Sequence, residues 1–143
     1  MHLSTDRLYL LIMLKWKIFR SKWLAISWFI IISVLFFLPG SALPPATWGP
    51  MEFLEDVYFD KWVHLGFFTI LVFLWRSAFD GIVNNYTALL FLSALLYGFI
   101  VELIQNRWVP NRDFDLYDIL SDAIGSLLGV FLWLRVYKKN KPL

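Results

Sequence analysis

The stretch ELIQNRWVPNRDFDLYDILSDAIGSLLG, residues 102–129, decides how this chain is read. Glu102, Gln105, Pro110, Arg112, Asp115, Asp118, Asp122, Gly125 and Gly129 interrupt a sequence that is otherwise largely apolar on both sides. If the flanking segments are helices that cross a bilayer, several of these charges lie at membrane depth. An ionisable group there is costly and has to be paired, protonated or wetted.

Composition points to a membrane. Of 143 residues, 59% are hydrophobic and 20% aromatic, which is more apolar surface than one small soluble core can bury. Four spans are read at Trp23–Leu43, Trp62–Phe79, Tyr86–Gln105 and Tyr117–Tyr137, each near the roughly 20 residues that cross about 30 Å of hydrocarbon. The segments lack the period-2 alternation of barrel strands, so the fold class is all-α, an integral membrane bundle of four transmembrane helices. The absence of cysteine removes disulfides and thiolate chemistry.

The cations set the expected orientation. Arg7, Lys15, Lys17, Arg20 and Lys22 precede the first span, Arg135, Lys138, Lys139 and Lys141 close the chain, and the first connection carries none before Lys61. The positive-inside rule then makes both termini cytoplasmic. Arg76 fits the inner loop after the second span, while Pro44–Asp60 and Asn106–Leu116 fall outside; Arg107 and Arg112 oppose the rule but are outweighed. The basic ends are orientation signals, and no nucleic-acid partner is expected.

The organisation is a basic segment at 1–22, a membrane domain at 23–137 and a basic tail at 138–143. Leu3–Arg20 is read as a short interfacial helix with Leu8, Leu11, Ile12, Trp16 and Phe19 on one side. Gly40-Ser41-Ala42 after an apolar run loosely fits a signal-peptide site, but Pro44-Pro45 follows at once and an uncleaved span is preferred. Pro39-Gly40, Asp80-Gly81, Asn84-Asn85 and Pro110-Asn111 punctuate short loops. Trp48, Trp62, Trp108 and Tyr117 read as an outer aromatic belt.

Depth follows from a rise of 1.5 Å per residue. Counted from Trp75 to His64 and from Leu134 to Asp122, the side chains lie about 17 and 18 Å above the inner boundary, and Glu102 and Asp118 lie about 24 Å above it. All four therefore belong to the outer half of the slab. Ala94, Gly98, Glu102 and Gln105 share one helix face, and Asp115, Asp118, Asp122, Gly125 and Gly129 share another. The small residues allow close backbone approach below the polar ones. Asp60 and His64, with Lys61 beside them, make a third polar face.

Arg112 is the expected partner of the acids, because its planar fork can bridge Glu102 and Asp115 or Asp118. Carboxylates outnumber nearby cations, so at least one is expected to be protonated or bound to a cation. His64 is the natural titrating neighbour. One histidine with acids from separate spans is a weak metal signature, and neither a metal nor a cofactor is assigned.

The chain resembles the VanZ-like family, membrane proteins named for one associated with teicoplanin resistance. The resemblance rests on Asp60-Lys61-x-x-His64, Glu102-x-x-Gln105, Pro110-x-Arg112, Asp115, Asp118 and Gly125-x-x-x-Gly129, and covers residues 60–129. At Asp122 the family is expected to favour Asn. The resemblance implies the cytoplasmic membrane of a bacterium and a link to glycopeptide tolerance, and supplies no reaction.

Three functional classes follow. The first is an envelope protein whose outward-facing pocket, built from Asp60, Lys61, His64, Glu102, Gln105, Arg112, Asp115, Asp118 and Asp122, recognises an anionic headgroup or a lipid-linked wall precursor. The second is an enzyme in which His64 and Glu102 exchange a proton while Arg112 holds a phosphate or carboxylate. The third is a small ion- or proton-coupled transporter, disfavoured because the inner halves of the spans read as almost purely apolar. The same residues also fit a structural ion network that fixes the bundle. No nucleophile elbow, HExxH pair or phosphate-cradling glycine loop decides between binder and enzyme.

Overall fold

A computed structural model describes residues 18–39, 42, 59–79 and 86–140, with side chains described to residue 136. The described residues form four helices, α1 (Lys22–Phe36), α2 (Phe59–Ala78), α3 (Tyr86–Trp108) and α4 (Leu116–Asn140), and no strand. Two of them are long and apolar enough to cross a membrane: α3 over its 23 residues and α4 over the 21 residues Leu116–Val136. The 20 residues of α2 carry Asp60 and Lys61 at one end and Arg76 at the other, which lowers their mean apolarity.

Side-chain pairings give the helix directions. Along α2 and α4, Lys61 meets Asp118, His64 meets Asp122, and Leu65 and Thr69 face Gly125 and Gly129, so the two helices advance in step and run parallel. α3 runs against both: Gly98 faces Asp122, while Glu102, further along, reaches Asp115 nearer the start of α4. α1 runs against α2, with Phe19 beside Phe73 and Phe36 beside His64. The α2–α4 contact is the most extensive of these interfaces.

Gly125 and Gly129 make that contact close. A Cβ on Gly125 would strike the Leu65 carbonyl, and one on Gly129 would meet the Thr69 carbonyl and Val72. The sequence placed these glycines where polar helices approach but did not name α2 as their partner. Gly98 differs: a Cβ there would meet the Asp122 carboxylate rather than a backbone. Ile32, Phe36, Phe68, Leu71, Val72, Ala94 and Val101 form the apolar core between the helices.

Burial is inverted relative to a water-soluble domain. Glu102, Asp122 and Ser126 are fully buried, whereas Leu89, Leu92, Leu96, Leu120 and Leu127 stand exposed on the outer faces of α3 and α4. In water the opposite distribution is the rule. An apolar exterior around buried ionisable groups suits a hydrocarbon surrounding.

Three expectations need revision. Helix α1 stops at Phe36 rather than running to Leu43: Phe37 donates its N–H to the Ser33 carbonyl, Leu38 tightens the end with a three-residue return to the Leu35 carbonyl, and Pro39, which disfavours a helical residue before it, follows. At about 1.5 Å per residue the helix is ~22 Å long, shorter than the ~30 Å slab. Arg76 is not a loop cation but a buried residue in the last turn of α2, its guanidinium 3.7 Å from the centre of the Trp133 ring and its Nε donating to Thr87 at 3.0 Å. With Ser77 and Ser126 also buried, the inner halves are less purely apolar than the sequence indicated. The interfacial helix before Ile18, Trp48, the 44–58 loop, the Asp80–Asn85 turn and the last three residues lie outside the described residues.

Candidate functional site

The polar residues of α2, α3 and α4 meet at one end of the bundle. Asp115 begins the arrangement, as the last residue before α4. Its Oδ1 accepts the Tyr117 N–H at 2.8 Å, capping the helix, and its Oδ2 takes the Lys61 ammonium. Lys61 holds the Asp115 carboxyl below the ordinary carboxylate value, with the Tyr117 N–H adding to the effect. The Asp115 N–H in turn donates to Glu102 Oε2 at 2.9 Å, which ties α3 to the start of α4.

Lys61 is the hub. From the first turn of α2 its Nζ lies 2.7 Å from Asp60 Oδ2 and 3.0 Å from Asp118 Oδ1, and it also contacts Asp115. The Asp118 approach is an ion pair whose angle falls short of a hydrogen bond. One turn deeper, His64 Nδ1 and Asp122 Oδ1 are 2.9 Å apart, both buried, and the Phe36 ring lies 4.6 Å from the imidazole centre. His64, Glu102 and Asp118 each bring a ligand-type atom within 4.8 Å of the others.

Arg112 does not take the role expected of it. Among the described residues it pairs with none of the carboxylates, and its Nε is buried without a hydrogen-bond partner. It follows Asn111, which adopts a left-handed φ of 60° that Asn tolerates better than most residues, and that turn redirects the α3–α4 connection. Lys61 already stands among the acids as a compact charge on a flexible stem and makes the contacts instead.

Gln105 is also placed differently. It is buried, but its Nε2 donates to the Phe36 carbonyl at 2.9 Å, one of the carbonyls that the end of α1 leaves without a helical partner. Gln105 is therefore a tether between α1 and α3. Asp60 stays at the rim, bonded to Lys61. The site thus unites Lys61, His64, Glu102, Asp115, Asp118 and Asp122, with Asp60 at its edge and Gln105 and Arg112 outside its bonds.

The sequence reading missed two neighbours. Phe36 walls one side of His64, and no polar signal marks it. Ser126, fully buried one turn below Asp122 with a hydroxyl that lacks a partner, was legible as the next residue on the Asp118–Asp122 face. Trp62, Trp108 and Tyr117 are exposed near this end, where the aromatic belt was expected. No family model matches the chain, nor does any curated protein or solved structure.

Proposed function

We propose that the chain is a VanZ-like protein with four membrane spans and both termini in the cytoplasm, whose outward-facing pocket binds an envelope amphiphile, either a lipid headgroup or a lipid-linked wall precursor. The observation that carries this reading is the buried constellation of His64, Glu102, Asp118 and Asp122, contributed by three helices inside an apolar exterior. Ionisable groups at membrane depth are costly to retain, and a ligand that uses them explains why they gather at one end. The excess of carboxylates favours hydroxyls and amines within the pocket. Arg112, unpaired with any carboxylate among the described residues, supplies a planar cation for a phosphate or carboxylate on the same ligand.

Glu102→Gln and Arg112→Ala test the reading in cells. Protein level should hold while glycopeptide or envelope-stress tolerance falls; unchanged level together with unchanged tolerance rejects it. Loss of the protein from the membrane would instead identify a structural network. The orientation is tested by Asn111→Cys, which should react with an impermeant reagent added from outside.

A second reading is favoured by one contact. Asp122 fixes the His64 imidazole at 2.9 Å, the arrangement that orients a general base. The acid–base pair would then be His64 and Asp122 rather than His64 and Glu102. Incubation of the purified protein with lipid-linked wall precursors distinguishes the two, because an enzyme gives a mass change that His64→Ala abolishes, and a binder does not.

A further inference from the structure

Among the described residues, two clusters of ligand-type side chains have atoms mutually within 4.8 Å: Asp60, Asp115 and Asp118, and His64, Glu102 and Asp118. Their occupancy differs. The first is filled by the Lys61 ammonium, which touches all three of its carboxylates. The second has no cation at its centre among the described residues; Lys61 reaches only its Asp118 edge.

Three features mark the second cluster as a place for an ion. Glu102 is 0% exposed, and although its Oε2 accepts the Asp115 N–H, its Oε1 has no hydrogen-bond partner. A buried carboxylate oxygen left in this state costs free energy unless something binds it. His64 is 2% exposed with Nδ1 held by Asp122, which leaves Nε2 as its free ring nitrogen. A carboxylate on the far nitrogen is how metal-binding histidines are usually oriented, since it fixes the tautomer and raises the basicity of the other nitrogen. Finally, Glu102, Asp118 and Asp122 together outnumber the positive charge available to them.

We infer that His64 Nε2, Glu102 and Asp118 bind one divalent first-row transition-metal ion, Zn2+ or Mn2+, with Asp122 as the positioning residue behind His64. One imidazole and two carboxylates form a mixed nitrogen–oxygen set. Ca2+ and Mg2+ prefer oxygen alone, and the softest ions prefer sulfur, which this chain lacks as cysteine. Bonds of about 2.1 Å in a tetrahedral site put ligand atoms about 3.4 Å apart, so the cluster needs to contract by roughly an ångström or somewhat more. Three protein ligands leave at least one position open to water or to an oxygen of a bound molecule.

The test is metal content, so its result does not depend on any tolerance phenotype or on the envelope role. The full-length protein, purified in detergent with any affinity tag removed and stripped with EDTA, is titrated with ZnCl2 and MnCl2 by calorimetry. One ion per chain is expected, with affinity reduced at least tenfold in Glu102→Gln and His64→Gln and unchanged in Asp113→Asn, whose side chain is exposed outside the cluster. Pulsed EPR of bound Mn2+ should show imidazole nitrogen coupling that disappears in His64→Gln. In Asp122→Ala that coupling should change and affinity should fall about 10- to 100-fold. A wild-type protein that takes up no stoichiometric ion overturns the assignment, and so does binding that survives both Glu102→Gln and His64→Gln at full affinity. If a variant does not fold, the wild-type titration and its EPR spectrum still decide.

Discussion

Removing the ammonium from the hub separates buried from exposed electrostatics within one site. In Lys61→Met the stem keeps its length and its apolar contacts, but Asp60, Asp115 and Asp118 lose their shared cation. Their surroundings are unequal: the side chains of Asp60 and Asp115 are 42% and 35% exposed, and that of Asp118 is 7% exposed. Exposed pairs contribute about 0–1 kcal/mol each, whereas stripping the partner from a buried charge costs about 3–5 kcal/mol. Asp115 also keeps its bond to the Tyr117 N–H, so the penalty concentrates on Asp118. The expected loss is about 3 kcal/mol, read from unfolding in detergent followed by tryptophan fluorescence, with chelator present so that no ion substitutes for the ammonium. Adding Asp118→Asn should restore about 2 kcal/mol by removing the uncompensated charge, while Asp60→Asn alone should cost less than about 1 kcal/mol. A Lys61→Met penalty below about 1 kcal/mol, or a double variant no more stable than Lys61→Met, would refute the view that the buried Asp118 charge dominates.

Glycine substitutions test the helix approach. Gly125→Ala should destabilise by about 1–3 kcal/mol because the new methyl meets the Leu65 backbone, which cannot swing aside. Gly66→Ala, with open space around it, should be neutral or stabilising by up to about 1 kcal/mol; equal effects in the two melts would contradict the packing. Gly98→Ala pushes on the Asp122 carboxylate, so it should weaken metal uptake in the titration more than it lowers the melting temperature. Gln105→Leu should cost about 1–3 kcal/mol by orphaning the Phe36 carbonyl, seen as earlier unfolding with the metal affinity unchanged. Zn2+ at a hundredfold excess over its dissociation constant should raise unfolding stability by about 2.7 kcal/mol, and the gain should vanish in Glu102→Gln.

Much of the site was legible because lipid narrows the choices. A carboxylate at 3- and 4-residue spacing on an apolar helix has to turn inward, so Glu102, Asp118 and Asp122 were placed together from their depth along the spans and their spacing. Pair identities were harder. Arg112 looked the better partner by chemistry, but partner choice follows backbone path, and the left-handed Asn111 is invisible to a composition or periodicity argument. The end of α1 was overestimated because an apolar run continues past the last helical hydrogen bonds. Arg76 read as a loop residue because a cation near a span end usually is one; only the structure brings Trp133 over its guanidinium.

Packing and chemistry are coupled through the same glycines. Gly125 lets α4 sit against the Leu65 carbonyl, and Leu65 follows His64 directly in α2, so the contact that seats the helix also sets how far Asp122 stands from the imidazole. On the other side Gly98 leaves space that the Asp122 carboxylate fills. The Asp122 side chain is thus confined between two helices by residues that have no side chain of their own. With Asn in its place, the pocket would keep a hydrogen-bond acceptor for His64 but lose one negative charge. The carboxylate makes the His64 nitrogen opposite more basic, and it adds a negative charge that Lys61, paired with Asp60, Asp115 and Asp118, does not reach. Asp122 is therefore a buried acid that strengthens the one His64 ring nitrogen left without a partner among the described residues, and the proposed metal ion would use both.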